Sequence, residues 1–136
     1  MAAFVITAPV ITINGVDLSD HIDSVEINDE VADVKTTNFG SSGNETRVGG
    51  LKSGSITISM QQDYAASKVD ATVWAARGTA ITVTVKASSA ATSATNPLYS
   101  GSYLVTQYKP VSGKVGDLSM LSITWPRTGD LTRTTS

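Results

Sequence analysis

At 136 residues, the chain is long enough for one domain whose hydrophobic core needs neither disulfides nor a metal. The net charge of −2 and the scattered positions of its ten Lys and Arg residues argue against general binding to nucleic acid or anionic membranes, and the lack of cysteine excludes thiol catalysis, disulfide scaffolds and thiolate metal sites. Thr and Ser number 18 and 17, and because Thr, like Val and Ile, favours half-buried pleated surfaces, the composition predicts a mainly β protein.

The first residues predict a short hairpin rather than a targeting segment. Met1–Val10 is mildly apolar but lacks the basic start and the long apolar core of a signal peptide. No later apolar run approaches the roughly 20 residues that span a bilayer, so we expect a soluble chain made in the cytoplasm. Pro9–Ile13 predicts a strand, Asn14-Gly15 a tight turn, and Val16–Leu18 the returning strand.

Two alternating strands follow, from about Ile22 to Val34 and from Leu51 to Met60, and they form the most informative pattern in the chain. Because side chains alternate across a strand, the pair predicts an antiparallel hairpin with one apolar and one polar face. The apolar face is predicted to carry Val25, Ile27, Ile56, Ile58 and Met60, and the polar face Ser24, Glu26, Asn28, Glu30, Ser55, Thr57 and Ser59. No Lys or Arg falls on the polar face, which suits a surface that lies close to a polyanion without gripping it.

The segment between these strands, Thr36–Gly50, is rich in glycine and almost free of apolar residues. It predicts a flexible loop of roughly fifteen residues, and loops of this length without internal structure are usually functional or disordered.

After the second strand the apolar period changes from that of a strand to that of a helix. Asp63 suits an N-cap and Gly78 suits a stop. The apolar positions at helical spacing are Ala65, Ala66, Val69, Val73 and Ala76. This pattern predicts a single helix with one apolar face.

Strand alternation resumes beyond the helix. Ala80–Ala87 predicts a strand, Leu98–Tyr108 a strand of ambiguous facing, and Leu118–Trp125 the last strand, while Thr128–Ser136 predicts a polar, loose tail. The order of strands, one helix and strands predicts a mainly β fold. We expect an antiparallel β-sandwich in a single domain, with one flanking α-helix and a long inter-strand loop.

His21 is the only histidine and lies among Asp17, Asp20 and Asp23. A catalytic triad needs a nucleophile beside the histidine and a third group that orients it, and no such arrangement is visible in the sequence. A chain with one histidine and no cysteine lacks the ligands of a usual zinc site, and the aspartates lack the spacing of a calcium loop. We therefore interpret His21 as a turn histidine and the aspartates as turn and cap residues.

Other candidate sites are weaker still. Asp63 and Asp70 would lie two turns apart on a helix without any sign of a cleft, and Gly49–Ser53 leads into a strand where a phosphate-binding loop leads into a helix. The aromatic residues suit core and interface positions better than a sugar site; they are Tyr64, Trp74, Tyr99, Tyr103, Tyr108 and Trp125. The sequence thus predicts no catalytic, cofactor-binding or metal residues, and a protein that is not an enzyme.

Several segments together resemble a known family. They are Ile13–Asp20, Gly50–Asp63, Val69–Trp74, Ala94–Gly101, Gly116–Pro126, and the ending with Gly129 and Leu131–Arg133. In these segments, and over nearly its whole length, the chain resembles the tail tube (major tail) proteins of long-tailed bacteriophages.

The resemblance implies a structural virion protein. Subunits of this family form β-sandwiches with one flanking helix, and they close into rings, usually hexameric, whose inner sheets join into a barrel. The rings stack into a tube around a tape-measure protein, on tail-tip or baseplate proteins, and viral DNA later passes through the lumen without specific binding. The expected location is the virion tail, assembled in the cytoplasm of the host bacterium, without membrane insertion by this chain.

The resemblance also implies roles for the two polar segments. The polar face described above would line the lumen, and the loop at residues 35–50 would reach the neighbouring ring. The predicted inter-ring residues are Lys35, Asn38, Phe39, Glu45 and Arg47. The loop and the tail at residues 128–136 would become ordered on assembly.

Two alternatives remain open at this point. One is another phage virion component, such as a tail terminator or a capsid decoration protein, which would not form open-ended tubes. The other is a β-sandwich that binds a small ligand or a carbohydrate through its tyrosines.

Overall fold

Two antiparallel β-sheets and one α-helix make up the computed structural model, which describes residues 3–136. The strands are β1 (Val10–Ile13), β2 (Val16–Asp17), β3 (Ile22–Lys35), β4 (Arg47–Gln61), β5 (Ala80–Lys86), β6 (Leu98–Leu104), β7 (Met120–Pro126) and β8 (Thr132–Thr134), the helix α1 is Val69–Ala76, and two 3-10 turns are Ser19–His21 and Phe39–Ser41. The five-stranded sheet has the order β2-β1-β5-β6-β8 and the three-stranded sheet the order β3-β4-β7. The predicted mainly β fold with one helix is confirmed.

One hydrophobic core joins the two sheets. Alternate residues of β1, β5 and β6 face alternate residues of β4 and β7. In β4 these are Ile56, Ile58 and Met60, the apolar face that the sequence predicted. The largest fully buried side chains include Trp125, Tyr103, Ile11, Ile13, Ile56, Ile58, Met60 and Ile123. Burial of each large apolar side chain is worth about 1.5–3 kcal/mol.

The hairpin of β1 and β2 turns at Asn14 and Gly15, as predicted. Their φ angles are 53° and 82°, the left-handed pair that a two-residue hairpin turn requires. The facing of β6 is also settled, because Tyr103 and the following Val105 are buried whereas Leu104 is not.

The helix is shorter than predicted, and its predicted start at Asp63 is wrong. Ser67 has a φ of 62°, and this left-handed residue delays the helix until Val69. Asp63 instead closes a local turn, in which its Oδ1 accepts a hydrogen bond from Ala65 N at 2.9 Å. The predicted stop is correct, since Gly78 follows the helix with a φ of 76°.

Strand β4 is longer than predicted and begins at Arg47, so the predicted loop Thr36–Gly50 is partly wrong. The structure leaves only residues 36–46 as a connection, and the two strands continue as a ribbon to the pair Lys35–Arg47. We call residues 31–52 the hairpin arm. A register shift between Val31 and Asp33 introduces a β-bulge into it.

The tail also contains a strand that the sequence did not predict. β8 pairs with β6 through Leu98–Thr134, Tyr99–Arg133 and Ser100–Thr132 at the edge of the five-stranded sheet. The prediction that residues 128–136 become ordered on assembly stays a prediction, but this part of the tail already has a partner. Among residues 3–136, no helix is both long and apolar enough to cross a membrane.

Candidate functional site

The predicted polar face exists as one continuous surface of the three-stranded sheet. The pairing register joins Ser24 to Ser59, Glu26 to Thr57, Asn28 to Ser55 and Glu30 to Ser53 without a break. All predicted polar-face residues of β3 and β4 therefore project from the same side, opposite the buried Ile56, Ile58 and Met60. Whether this side lines a lumen stays a prediction.

Strand β7 widens the polar face with residues that the sequence analysis did not name. Ser122 lies beside Ser59 and Thr124 beside Thr57, and the hydroxyl oxygens of Thr57 and Thr124 are 3.2 Å apart. The signal was present in the sequence, because the apolar Leu121, Ile123 and Trp125 alternate with Ser122 and Thr124 and successive side chains of a strand face opposite sides. We use the name polar face for Ser24, Glu26, Asn28, Glu30, Ser53, Ser55, Thr57, Ser59, Ser122 and Thr124.

The polar face is acidic and hydroxylic. Its only charged side chains are those of Glu26 and Glu30, and Asn28 Nδ2 donates a hydrogen bond to Glu30 Oε1 at 3.0 Å. Lys or Arg side chains, which grip phosphate groups by displacing counterions, do not occur on it. The surface can thus lie near a polyanion with little attraction.

Both edges of the three-stranded sheet lack a partner strand within the described chain. Among residues 3–136, β3 pairs only with β4, which leaves the outer edge of a strand of 14 residues without a partner there. At the outer edge of β7, Gln107 Oε1 accepts a hydrogen bond from the backbone amide of Thr124 at 3.1 Å, and Gln107 O accepts one from the side-chain Nε1 of Trp125 at 2.8 Å. Just beyond β7, Arg127 forms an isolated bridge with Tyr103 of β6. Open strand edges are places where another chain can pair.

A cleft of about 910 Å³ opens between the two sheets beside the free edge of β3. Val25 and Ile27 of β3 line one wall, and Val85 and Tyr99 of the five-stranded sheet line the other. Residues 4–9 border the mouth, and three of them, Phe4, Val5 and Ile6, are exposed to 72%, 82% and 55%. The core is therefore open on this side of the molecule.

Asp29, which lines the cleft, forms an ion pair with Arg127. Arg127 Nη1 lies 2.8 Å from Asp29 Oδ1, and the Arg127 side chain is only 1% exposed. Tyr103 lies in the same region, and burial raises the pKa of its hydroxyl although the charge of Arg127 opposes the shift. The Tyr103 hydroxyl has no hydrogen-bond partner in residues 3–136.

One face of the hairpin arm carries a small ionic network. Arg47 contacts Asp33 Oδ2 at 2.7 Å and Glu45 Oε2 at 3.0 Å, and Lys35 Nζ contacts Glu45 Oε1 at 2.8 Å. Hydrogen bonds from Lys35 and then from Arg47 lower the pKa of Glu45. Because its charges pair with one another, this face has no strong net charge.

The arm also exposes apolar side chains. Val34 and Val48 form a cross-strand pair, and Leu51 at the bulge is 86% exposed. Phe39 at the tip is fully exposed, held in a 3-10 turn that Asn38 caps by accepting a hydrogen bond from Gly40 N at 2.8 Å. The connection is thus locally structured, and the predicted inter-ring residues all lie at its distal end.

The remaining candidates do not assemble into an active site. Asp63 and Asp70 are joined through the backbone, with Asp70 N donating to Asp63 O at 3.0 Å, but the Asp70 carboxylate accepts from Tyr108 instead. In the described part of the chain, no group of three or more His, Cys, Asp or Glu side chains is arranged to hold a metal ion.

The aromatic residues are dispersed. Trp125 and Tyr103 are in the core, whereas Tyr99 lines the cleft. Trp74 is half exposed on α1, where the guanidinium of Arg77 lies 3.4 Å from its ring centroid. The sequence interpretation of these residues as core and interface residues agrees with this distribution for Trp125 and Tyr103.

Comparison with known proteins identifies the fold. No protein-family model and no curated protein matches the sequence. Among solved structures, a chain of the virion of a native gene transfer agent particle matches with a TM-score of 0.72 and 14% identity, covering 93% of this chain and 95% of that one. A chain of the tail of an empty gene transfer agent particle, determined with helical refinement and C6 symmetry, matches with a TM-score of 0.65 and 15% identity, covering 84% and 82%. The chain shares its fold with these proteins of a phage-like particle, in agreement with the resemblance found in the sequence.

Proposed function

We propose that this chain is a structural subunit of a phage or phage-like tail, and that it polymerises as stacked rings into the tail tube through which the genome leaves the particle. The observation that carries the proposal is a three-stranded sheet with two edges lacking partner strands and one broad face without basic side chains. The fold likeness to a chain of a C6-symmetric tail supports it.

Ring closure would use the two edges of the three-stranded sheet. The free edge of β3 in one subunit would pair with the β7 edge of the next, in place of the bonds that Gln107 makes there. Such pairing joins the small sheets into a closed barrel, which removes exposed edges. The hexameric stoichiometry rests on the family resemblance and on the symmetry of the tail that shares the fold.

In a barrel of this kind, the polar face would line the lumen. Glu26 and Glu30 would repeat around the wall, and the remaining positions would present neutral hydroxyl and amide groups. DNA passing through would meet no Lys or Arg side chain on this face that could displace its counterions and hold it. The wall would therefore offer little resistance to its passage.

The hairpin arm would join successive rings. The side chains of Phe39 and Leu51 are apolar and exposed. Covering them with a neighbouring subunit would lower the free energy of the assembly, because apolar surface would leave water. The tape-measure protein inside the tube and tail-tip or baseplate proteins at its end would be the other partners. The subunit would carry no enzymatic activity and would reside in the virion tail after assembly in the bacterial cytoplasm.

A ligand-binding sandwich is the second candidate, favoured by one observation. The cleft beside β3 is large and mostly apolar, and it includes Tyr99 with Asp29 near its end. A small ligand bound there would raise the thermal stability of the monomer in a saturable way. A tail terminator or capsid decoration protein would instead form rings or bind preformed particles without growing tubes.

Negative-stain electron microscopy of the purified protein over a concentration series tests the proposal. We expect hollow tubes with a regular axial repeat, or rings that stack. The series should be repeated with tail-tip components as an initiator, because nucleation of a ring can limit growth. Monomers throughout both series would contradict the proposal and favour the ligand-binding sandwich.

A further inference from the structure

His21 ends the 3-10 turn that leads into β3, and both of its ring nitrogens contact carboxylates. Nδ1 lies 2.7 Å from Asp20 Oδ1, and Nε2 lies 2.7 Å from Asp63 Oδ2. The side chain is 13% exposed, and its partner Asp63 lies 42 residues further along the chain. The contact to Asp63 is therefore a tertiary link between the start of β3 and the segment that follows β4.

This geometry suits only one protonation state. A neutral imidazole has one N–H and one acceptor nitrogen, and an ionised carboxylate can only accept. Two short contacts to two carboxylates thus need the imidazolium, which donates from both nitrogens. Partial burial lowers the pKa of His21, but the hydrogen bonds with Asp63 and Asp20 outweigh this effect, so the pKa is raised overall.

Asp63 organises the approach to α1. Its Oδ1 accepts a hydrogen bond from Ala65 N at 2.9 Å, and its carbonyl oxygen accepts one from Asp70 N at 3.0 Å. The pKa of Asp63 is lowered mainly by the hydrogen bond from Ala65 N and to a smaller extent by the one from His21, so this carboxylate is ionised at neutral pH. We call residues 62–68 the connector; His21 holds it through Asp63.

A second anchor holds the connector from the other side. Gln62 Nε2 donates to Tyr108 OH at 3.0 Å and to Pro110 O at 2.8 Å, and Tyr108 OH donates to Asp70 Oδ1 at 2.5 Å. The pKa of Tyr108 is raised to about 12, mainly by burial and to a smaller extent by the hydrogen bond to Asp70. This anchor therefore keeps its protons throughout the neutral range.

Other charged groups lie close to His21 in the sequence or act on its carboxylate partner. Asp17 precedes the turn, where it accepts from Ser19 N at 3.0 Å, and Asp23 follows in β3. Lys68, at the end of the connector, is a cation that acts on both Asp17 and Asp63. When His21 loses its proton, the carboxylates of Asp17, Asp20 and Asp63 remain with less positive charge nearby.

We propose that His21 is a proton-dependent clamp that ties the connector, and with it the start of α1, to the turn before β3. With the imidazolium present, the clamp makes two charge-assisted hydrogen bonds. After deprotonation one donor remains, so one carboxylate is released and the other bond becomes weaker. This inference does not depend on the role of the chain in a tail.

Nuclear magnetic resonance of the full chain tests the clamp directly, because its imidazole signals come from one histidine. We expect both ring nitrogens to be protonated at pH 6, with a titration midpoint above that of a histidine in an unstructured peptide. The amide signals of Ala65 and Asp70 should shift with the same midpoint, since both amides donate to Asp63.

Two variants serve as controls. His21→Gln should remove the pH-dependent shift of the Ala65 and Asp70 amides, whereas Tyr108→Phe, which removes the two hydrogen bonds of the Tyr108 hydroxyl from the other anchor, should leave it in place. Any of three results would overturn the proposal. They are a titration midpoint of His21 at or below 6.5, a single protonated ring nitrogen at pH 6, and amide signals that stay unchanged while His21 titrates. All three are measured on the native chain, so they test the proposal even where a variant fails to fold.

Discussion

The guanidinium of Arg127 lies across Gly54 to reach Asp29, with 2.8 Å between Arg127 Nη1 and Asp29 Oδ1. A Cβ atom at position 54 would lie 2.9 Å from Arg127 Nη1 and closer still to the backbone oxygen of Asn28. The backbone of Gly54 also accepts a hydrogen bond from Arg127 N at 2.8 Å. Because Gly54 has no side chain, the buried guanidinium of Arg127 can pass over β4 and pair with Asp29 of β3.

Gly54→Ala should therefore destabilise the fold. The added methyl group meets backbone as well as the arginine, so the strands must shift, and we expect a loss of about 1–3 kcal/mol in the free energy of unfolding. Urea unfolding measures it, as a lower midpoint with an unchanged slope. Ser53→Ala, one residue away and exposed, is the matched control, and equal stability of the two variants would contradict the close packing at Gly54.

Positive charge on the polar face should impede the passage of DNA. Ser55→Arg with Thr57→Arg places two cations on β4, where each can bind a phosphate, whereas Ser55→Gln with Thr57→Gln adds similar bulk without charge. We expect both pairs to form tubes and the arginine pair alone to slow DNA ejection, measured by dye fluorescence on particles that carry the variant. The delay should shorten at higher salt. Unchanged ejection from intact arginine tubes would exclude this face as the lumen wall.

Removal of apolar surface from the hairpin arm should block tube growth without unfolding the subunit. Phe39 and Leu51 are exposed, so Phe39→Ser with Leu51→Ser should change the free energy of unfolding by less than about 0.5 kcal/mol. If each side chain is buried between rings, its loss raises the protein concentration needed for elongation about tenfold or more. Light scattering and electron microscopy measure this concentration. Val115→Ser alters an equally exposed side chain outside the arm, and a similar effect there would argue against the arm as the contact.

The stability that His21 contributes should depend on pH with a defined sign. Its pKa is raised in the folded chain, so its contribution is complete below pH 6.5 and is lost as the pH rises through the folded value. The pKa of Asp63 is lowered, so the carboxylate contributes above pH 3.8 and the contribution is lost as the pH falls through the folded value. The difference in unfolding free energy between the native chain and His21→Gln should shrink from pH 6 to pH 9. A difference that stays constant across that range would contradict the charged clamp.

Local patterns predicted the interior of the fold well. The alternation of Ile56, Ile58 and Met60 gave the facing of β4, and Asn14-Gly15 gave the first hairpin, because both depend on neighbouring residues. The helix start was wrong because the left-handed Ser67 has no signature in the hydrophobic pattern.

The remaining features depend on contacts between distant residues. Gly49 and Gly50 indicated a loop, yet they lie in β4 because the ladder with β3 continues past the bulge. The pairs His21–Asp63 and Asp29–Arg127 join positions far apart in the chain, and no local spacing marks them. The polar face was predictable from the two-residue alternation of the strands alone. The cleft lies between the two sheets, and it depends on how far sheets of unequal width overlap.

The half-buried state of Val25 and Ile27 has a thermodynamic consequence. A core that is open on one side gives a single chain less apolar burial than its sequence can provide, and any molecule that covers this side binds only the folded state. The melting temperature of the protein should then rise with its own concentration wherever a second copy is the cover. Stability, in that case, is a property of the assembled population rather than of the individual chain.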